Sequence, residues 1–475
     1  MSEKTGRSPI REFLSPLIYL ANNPLSLIGV VLVTSAAILW LLMLPNMVRG
    51  EADNPYTGIL SFFLLPAVFL GGLALIPLGI WINSKRGRPV QMPPLDWNNP
   101  RLRRLVSFIA VTTMANVVIG AHLSYSAVGY MESTTFCGET CHTVMQPEFT
   151  AYQGSPHSRV ECVKCHIGPG ASWFVKSKLS GAWQVVAVTF DLYPRPIPTP
   201  VHNLRPARET CEVCHWPQKF GADRVRIIPK YADDETNTLT KDVLLMRIGG
   251  GGTHRGIHGV HLGPGVTIKY AASDEQRQTI PWVQYNDGKG GVRTYQAADA
   301  KGDLPGNIEL RTMDCMDCHN RPTHAYELPE RGMDRLMAAG DVSPTLPFIK
   351  KTALELLKKD YPSQEQAGRD IVAGIETYYK TSQPAIWQQR QADVARASKA
   401  IVGLYDRNVF PAMRVKWGTY PNNVGHTDFP GCFRCHDERP EKGSAKTLTQ
   451  DCNTCHQLLA MDEADPKILA ELGEN

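Results

Sequence analysis

Residues 315–319 read CMDCH, two cysteines two residues apart with a histidine directly after the second. The same C-x-x-C-H string recurs at Cys162/Cys165/His166, Cys211/Cys214/His215, Cys432/Cys435/His436 and Cys452/Cys455/His456. A sixth copy, CGETCH, spans Cys137, Cys141 and His142 and carries one extra residue. Together these motifs use all twelve cysteines of the 475-residue chain. With fourteen histidines, any position is His about 3% of the time, so six such coincidences have a chance on the order of 10^-9.

The spacing fits haem attachment. Two thiols add across the two haem vinyl groups as thioethers, and the following histidine donates a ring nitrogen to the iron. The pair must be close because vinyl groups and iron belong to one rigid ring. The expanded first motif can reach with a bulged loop. Zinc or disulfides are the competing readings, but a zinc site would not require a histidine after every second cysteine. The expectation is six covalently bound haem c groups.

Each iron has a second axial position, which sets its potential and openness. Eight histidines remain for it: His122, His157, His202, His254, His258, His261, His324 and His426. A lone histidine is usually a surface or packing residue, but six irons compete for few candidates. His157 and His426 lie just ahead of the second and fifth motifs, and His324 follows His319 by five residues. His202, and either His258 or His261, come next, and His254 is weaker. Met145 stands three residues after His142.

The first 130 residues have a different character. Apolar runs at Leu25–Pro45, Tyr56–Ile82 and about Leu105–Val128 each reach the ~20 residues that span a bilayer. The first is too long for a signal-peptide core and has no A-x-A-like site after it, so it reads as an uncleaved anchor. Basic residues (Lys4, Arg7, Arg11, then Lys85 to Arg104) mark the N-terminus and the second loop as cytoplasmic. Three crossings would then place everything after about Tyr130 outside, where bacteria attach c-type haem. Trp40, Tyr56 and Trp81 sit near run ends, as an aromatic belt would. A b-type haem is not expected, since runs one and two hold no histidine. A net charge of +4 gives no reason to expect nucleic acid.

The expected fold is therefore three transmembrane helices followed by a multihaem c-type cytochrome domain, mostly helix and loop with little sheet. Residues 1–130 form the anchor. Residues 131–325 form a tetrahaem domain with a Cys-free insert at about 221–310. Residues 326–425 form a helical insert, with helix over much of 345–405 broken near Pro384. Residues 426–475 form a two-haem extension. The Gly-rich RIGGGGTHRGIHGVHLGPG lacks the strand–turn–helix setting of a phosphate loop and reads as a surface loop.

The stretch from the third run to His324 resembles the NapC/NirT/NrfH family of membrane-anchored quinol dehydrogenases. It carries FCGETCHTVMQPE, SPHSRVECVKCH, RETCEVCHWP and CMDCHNRPTH in that order. The resemblance covers about 200 residues and four motifs, plus the anchor. It implies that the haem on Cys137 and Cys141 lies nearest the membrane and the quinol, and that Met145 matches a Met-ligand region at a different offset. It implies a basic quinol-site residue at Lys178 or Lys176. The acidic residue expected soon after is missing: Gln184 stands near that place and Asp191 lies further on. A lipid-headgroup contact is an equally good reading of both lysines. His122, near the outer end of the third run, is a candidate for the quinol hydroxyl or its proton, or an interfacial histidine. The whole chain looks most like the larger inner-membrane cytochromes that metal-reducing bacteria use to feed electrons to the periplasm.

Three functions are open on the sequence. The first is oxidation of menaquinol from the membrane pool, with electrons relayed through six haems to a periplasmic multihaem cytochrome or reductase in anaerobic respiration. The second is a terminal reductase of the nitrite type, which needs an open iron. The third is a passive tethered electron carrier.

Overall fold

The computed structural model describes residues 23–48, 64–86, 98, 100–140, 142–201, 204–216, 221–250, 254–298, 300 and 310–473. It divides into two compact units, residues 1–140 and 141–475.

The first unit contains α1 (Pro24–Val48), α2 (Leu65–Lys85), α3 (Pro100–Met131) and a π-helical turn at Phe136–Thr140. Among the described residues, two segments are long and apolar enough to cross a membrane, Pro24–Leu41 and Leu65–Lys85. The third expected span is therefore corrected. α3 is a helix of 32 residues, but it starts among arginines and carries Asn116, His122, Ser124 and Ser126, which dilute its apolar content. The sidedness argued from three crossings loses its footing with it.

α1 and α2 approach closely because glycines face each other. A Cβ on Gly29 would lie 2.7 Å from the Gly72 carbonyl oxygen, and one on Gly72 would lie 2.9 Å from that of Gly29. The Ser26 hydroxyl donates to the Ile76 carbonyl at 3.0 Å, a cross-helix bond suited to an apolar medium. Trp40, expected in an aromatic belt, is buried with Ala36, Leu65 and Leu123. Trp81 is exposed, with the Lys85 ammonium 4.1 Å from its ring centre. Tyr56 lies outside the described residues.

The second unit begins with α4 (His142–Gln153), α5 (Cys162–His166), α6 (Ala171–Thr189) and α7 (Ala207–Cys211). The Cys-free insert then builds strands β1 (Arg224–Tyr231) and β2 (Leu239–Met246), helix α8 (Gly256–Leu262), and strands β3 (Thr267–Ala271), β4 (Trp282–Asn286), β5 (Val292–Gln296) and β6 (Arg311–Thr312). The fourth motif is α9 (Cys315–Cys318). A helical block follows: α10 (Pro329–Ala338), α11 (Ile349–Leu357), α12 (Gln364–Ser382) and α13 (Pro384–Asn408). The sixth motif is α14 (Cys452–Cys455), which runs straight into β7 (His456–Glu463), and α15 (Lys467–Leu472) closes the series.

The expectation of little sheet is also corrected. There are two antiparallel sheets, one ordered β1-β2-β7 and one β5-β4-β3-β6. The segments VTIKYA and TIPWVQY contain β3 and β4, which pair with Tyr270 opposite Val283. β7 joins β2 with His456 opposite Met246, so the sheet fixes the sixth motif in register.

The helical block holds the main core: Met333, Leu346, Ile349, Leu357, Ile371, Ile375, Tyr379, Ile401 and Leu404 are fully or nearly fully buried. Ser363 caps α12 by accepting from the Gln366 amide, and Pro384 opens α13 at a position where no amide donor is needed. The β1–β2 hairpin plugs into this block through charge. Asp334 accepts from the Tyr231 amide at 2.9 Å and from the buried Lys350 ammonium at 2.6 Å.

Candidate haem-ligand array

The described motif histidines do not stand alone. His166 faces His324 with ring centres 6.2 Å apart, His215 faces His157 at 5.9 Å, and His319 faces His258 at 6.3 Å. His436 faces His261 at 5.9 Å, and His456 faces His426 at 6.1 Å. An iron held between two imidazoles puts their centres about 6.4 Å apart, from bonds of about 2 Å and about 1.2 Å from each nitrogen to its ring centre. Five pairs thus have the separation that a six-coordinate haem iron requires.

Hydrogen bonds settle which ring nitrogen would point at the metal. A carbonyl only accepts, so an Nδ1 that meets one must carry the proton and leave Nε2 as the lone-pair donor. His157 Nδ1 meets the Pro322 carbonyl at 3.2 Å, and His324 Nδ1 meets that of Glu148 at 2.9 Å. His261 Nδ1 meets the Ile257 carbonyl at 2.7 Å, and His436 Nδ1 that of Thr449 at 2.8 Å. Such outer partners orient metal-ligating histidines. Burial also lowers the pKa of His166, His258, His261, His319 and His456, favouring the neutral form that a metal takes.

The cysteines form a series as well. Cys165 feels Cys214, Cys211 shares a hydrogen bond with Cys315, Cys318 feels Cys432, and Cys455 feels Cys432. Motifs two to six are therefore neighbours in chain order. Donor type, separation and tautomer all suit haem.

The fourth motif is also held from inside its own loop. Asp317, between its two cysteines, is 3% exposed. It accepts from the Tyr270 hydroxyl at 2.5 Å, Arg311 Nε at 2.8 Å and the Asp314 amide at 2.7 Å. Its carbonyl accepts from Arg434, which stands between the cysteines of the fifth motif.

A family model for the NapC/NirT cytochrome c family, N-terminal region, matches residues 100–195. The cytochrome c-type protein ImcH of Geobacter sulfurreducens is 42% identical over 448 residues, covering 92% of this chain and 88% of that protein. The chain belongs to the NapC/NirT cytochrome c family. No solved structure matches it. As a NapC/NirT-type protein it is a membrane-anchored multihaem cytochrome c that works in electron transfer, with haem c bound covalently.

The other expected residues of this NapC/NirT chain fall in several places. His254 is exposed and outside the five pairs. His202, Cys141 and the His142 side chain lie outside the described residues, and Met145 is half-buried on α4. Lys178 lies on α6, half-buried, with its ammonium 4.7 Å from the Phe174 ring centre; Lys176 is exposed beside Trp173. Gln184 is exposed on the same helix and reaches the Ser180 hydroxyl at 3.3 Å. His122 is exposed on α3. Asp191 is bound to Arg195, whose hydrogen bond holds its carboxyl below the usual range. That makes it a poor proton acceptor. Sequence reasoning missed Asp317 and the four carbonyl partners. Backbone acceptors leave no trace in residue identity.

Proposed function

We propose that this protein is a membrane-bound quinol dehydrogenase. It oxidises menaquinol and relays the electrons through six c-type haems to a periplasmic multihaem cytochrome or reductase. The observation that carries the reading is the series of five histidine pairs. Each of the five described motif histidines faces a second imidazole, so those sites keep no open position of the kind a terminal reductase needs. Bound haem supplies one-electron redox chemistry, and the chain supplies ligands, spacing and polarity.

The cysteines of the six motifs would hold the haems, with His142, His166, His215, His319, His436 and His456 as iron ligands. His324, His157, His258, His261 and His426 complete motifs two to six, and Met145 is the candidate for the first. Lys178 donates to a quinol oxygen from α6, and His122 takes a quinol proton. The haem domain lies on the periplasmic side of the cytoplasmic membrane, because c-type attachment takes place there. Family membership and the two apolar helices support the membrane anchoring.

The test uses purified holoprotein. A pyridine haemochrome assay should give six haems per chain, and a menaquinol analogue should reduce them. Failure of quinol reduction, with six haems present and reducible by dithionite, would leave the passive carrier. Turnover with nitrite or hydroxylamine would favour the terminal reductase.

A further inference from the structure

We propose that α8, the short helix Gly256–Leu262 of the Cys-free insert, is a two-headed ligand clip that spans the fourth and fifth haems. His258 completes the iron of the fourth motif, and His261 completes that of the fifth. The proposal rests on the haem reading above and goes beyond it, because it gives the insert a role and makes one helix serve two metal centres.

Residues three apart on a helix share a face. Here that face meets two different partners: His319 from His258 at 6.3 Å and His436 from His261 at 5.9 Å. His261 is held for the task, since its Nδ1 donates to Ile257 within the same helix. The helix is fixed at its start. The Ile257 amide donates to Arg247 at 2.8 Å and the His258 amide to Ile248 at 2.9 Å, which tie it to the end of β2. Gly249 and Gly256 have φ of +61° and +68°, and a Cβ on either would run into the other's backbone segment. Gly249 and Gly256 thus form a tight crossing at the entry to α8.

The two motifs are also joined on their cysteine side. Arg434 of the fifth motif donates to the Asp317 carbonyl of the fourth at 2.5 Å, and Asn423 donates to the same carbonyl at 3.2 Å. The thiols of Cys318 and Cys432 lie within electrostatic reach of each other. The junction where the tetrahaem segment meets the two-haem extension is therefore clamped from both sides. In this arrangement the insert fixes the fourth and fifth haem sites relative to each other across that junction.

The experiment compares His258→Met, His261→Met and His254→Met in the full-length holoprotein. Each of the first two should keep six haems by pyridine haemochrome. Each should move one sixth of the reductive titration to higher potential, since a methionine ligand raises it. Low-temperature magnetic circular dichroism should show one altered haem in each and two in the double variant. His254→Met should match wild type. If a methionine variant accumulates poorly, His→Gly with added imidazole should restore the lost low-spin signal. A His258 or His261 variant with six haems and an unchanged titration and spectrum overturns the clip. A wild-type count other than six overturns the haem reading instead.

Discussion

Asp317 lies in the middle of a haem-attachment motif, at a position usually treated as spacer, yet it is the most heavily bonded carboxylate of that region. Replacing it with asparagine keeps its size and removes its charge. Arg311 then loses its buried partner at 2.8 Å, Arg277 loses an ion pair at 3.6 Å, and the carboxamide NH2 meets donors on at least one side. Breaking a buried pair costs about 3–5 kcal/mol. The Arg311 side chain is 32% exposed and regains some hydration, so the low end applies, about 3 kcal/mol or ~10²-fold in the folded-to-unfolded ratio. Asp317→Ala should cost more, because the Tyr270 hydroxyl, 2% exposed, would lose its acceptor, about 1–3 kcal/mol further. The assay is denaturant unfolding of the detergent-solubilised holoprotein, followed by haem-region circular dichroism. Lys380→Ala serves as reference, since its ion pair with Glu376 is exposed and worth under about 1 kcal/mol. If Asp317→Asn unfolds within about 0.5 kcal/mol of wild type, the reading of Asp317 as a buried hub is wrong.

Four further outcomes are expected. In the anchor, Gly72→Leu should separate α1 from α2, and cross-linking between cysteines introduced at Ala36 and Leu65 should fall to background. In the helical block, Ile375→Ala should cost about 2–5 kcal/mol, while Tyr379→Phe, which loses one bond to Pro347 at 2.9 Å, should cost about 1 kcal/mol in the same melt. Arg390 holds the Asp393 carboxyl below its usual range through a hydrogen bond, so its contribution is present above the unfolded carboxylate pKa and is lost as pH falls through the lower folded value. Wild type and Asp393→Asn should differ slightly at pH 7 and converge in acid; a gap that widens in acid would contradict the assignment. Lys178→Ala should raise the menaquinol concentration needed for half-maximal reduction and leave dithionite reduction intact, and equal loss with both reductants would remove Lys178 from the quinol site.

The cofactor chemistry was legible because thioether attachment demands fixed neighbours in sequence: two cysteines and a histidine must sit within one loop. Distal ligands have no such constraint. His157 precedes the second motif but faces the histidine of the third, and His426 precedes the fifth but faces that of the sixth. Proximity along the chain was therefore a poor guide to which histidines face each other. The helices of 349–408 were readable from apolar spacing and from Pro384. The β1-β2-β7 sheet was not, since β1 and β2 interleave Arg, Lys and Asp with their aliphatic residues and β7 begins inside a motif. The third apolar run was read as a span from its length and its aliphatic residues, but among the described residues only α1 and α2 contain a segment long and apolar enough to cross a membrane.

The distribution of buried side chains fits a domain that bound haem completes. In the helical block, leucine, isoleucine and tyrosine close a core with no help from a cofactor. Between 142 and 216 the described buried hydrophobic side chains are Val144, Ala151, Tyr152, Ala187 and Ala207, mostly small and scattered over 75 residues. Val144 finds its partners far away, in Phe410, Met413 and Tyr420. A segment with so little apolar area to remove from water cannot offset the entropy of ordering its backbone. On the proposed reading porphyrins would supply the missing apolar area, with the histidine pairs as their ligands. The two sheets of the insert solve a different problem. They bring β2 beside the sixth motif and α8 beside the fourth and fifth, so His258 and His319, 61 residues apart, and His261 and His436, 175 residues apart, are set at the ~6 Å ring spacing that an iron demands. On this reading the long Cys-free insert is the part of the chain that turns separate haem loops into one conducting array.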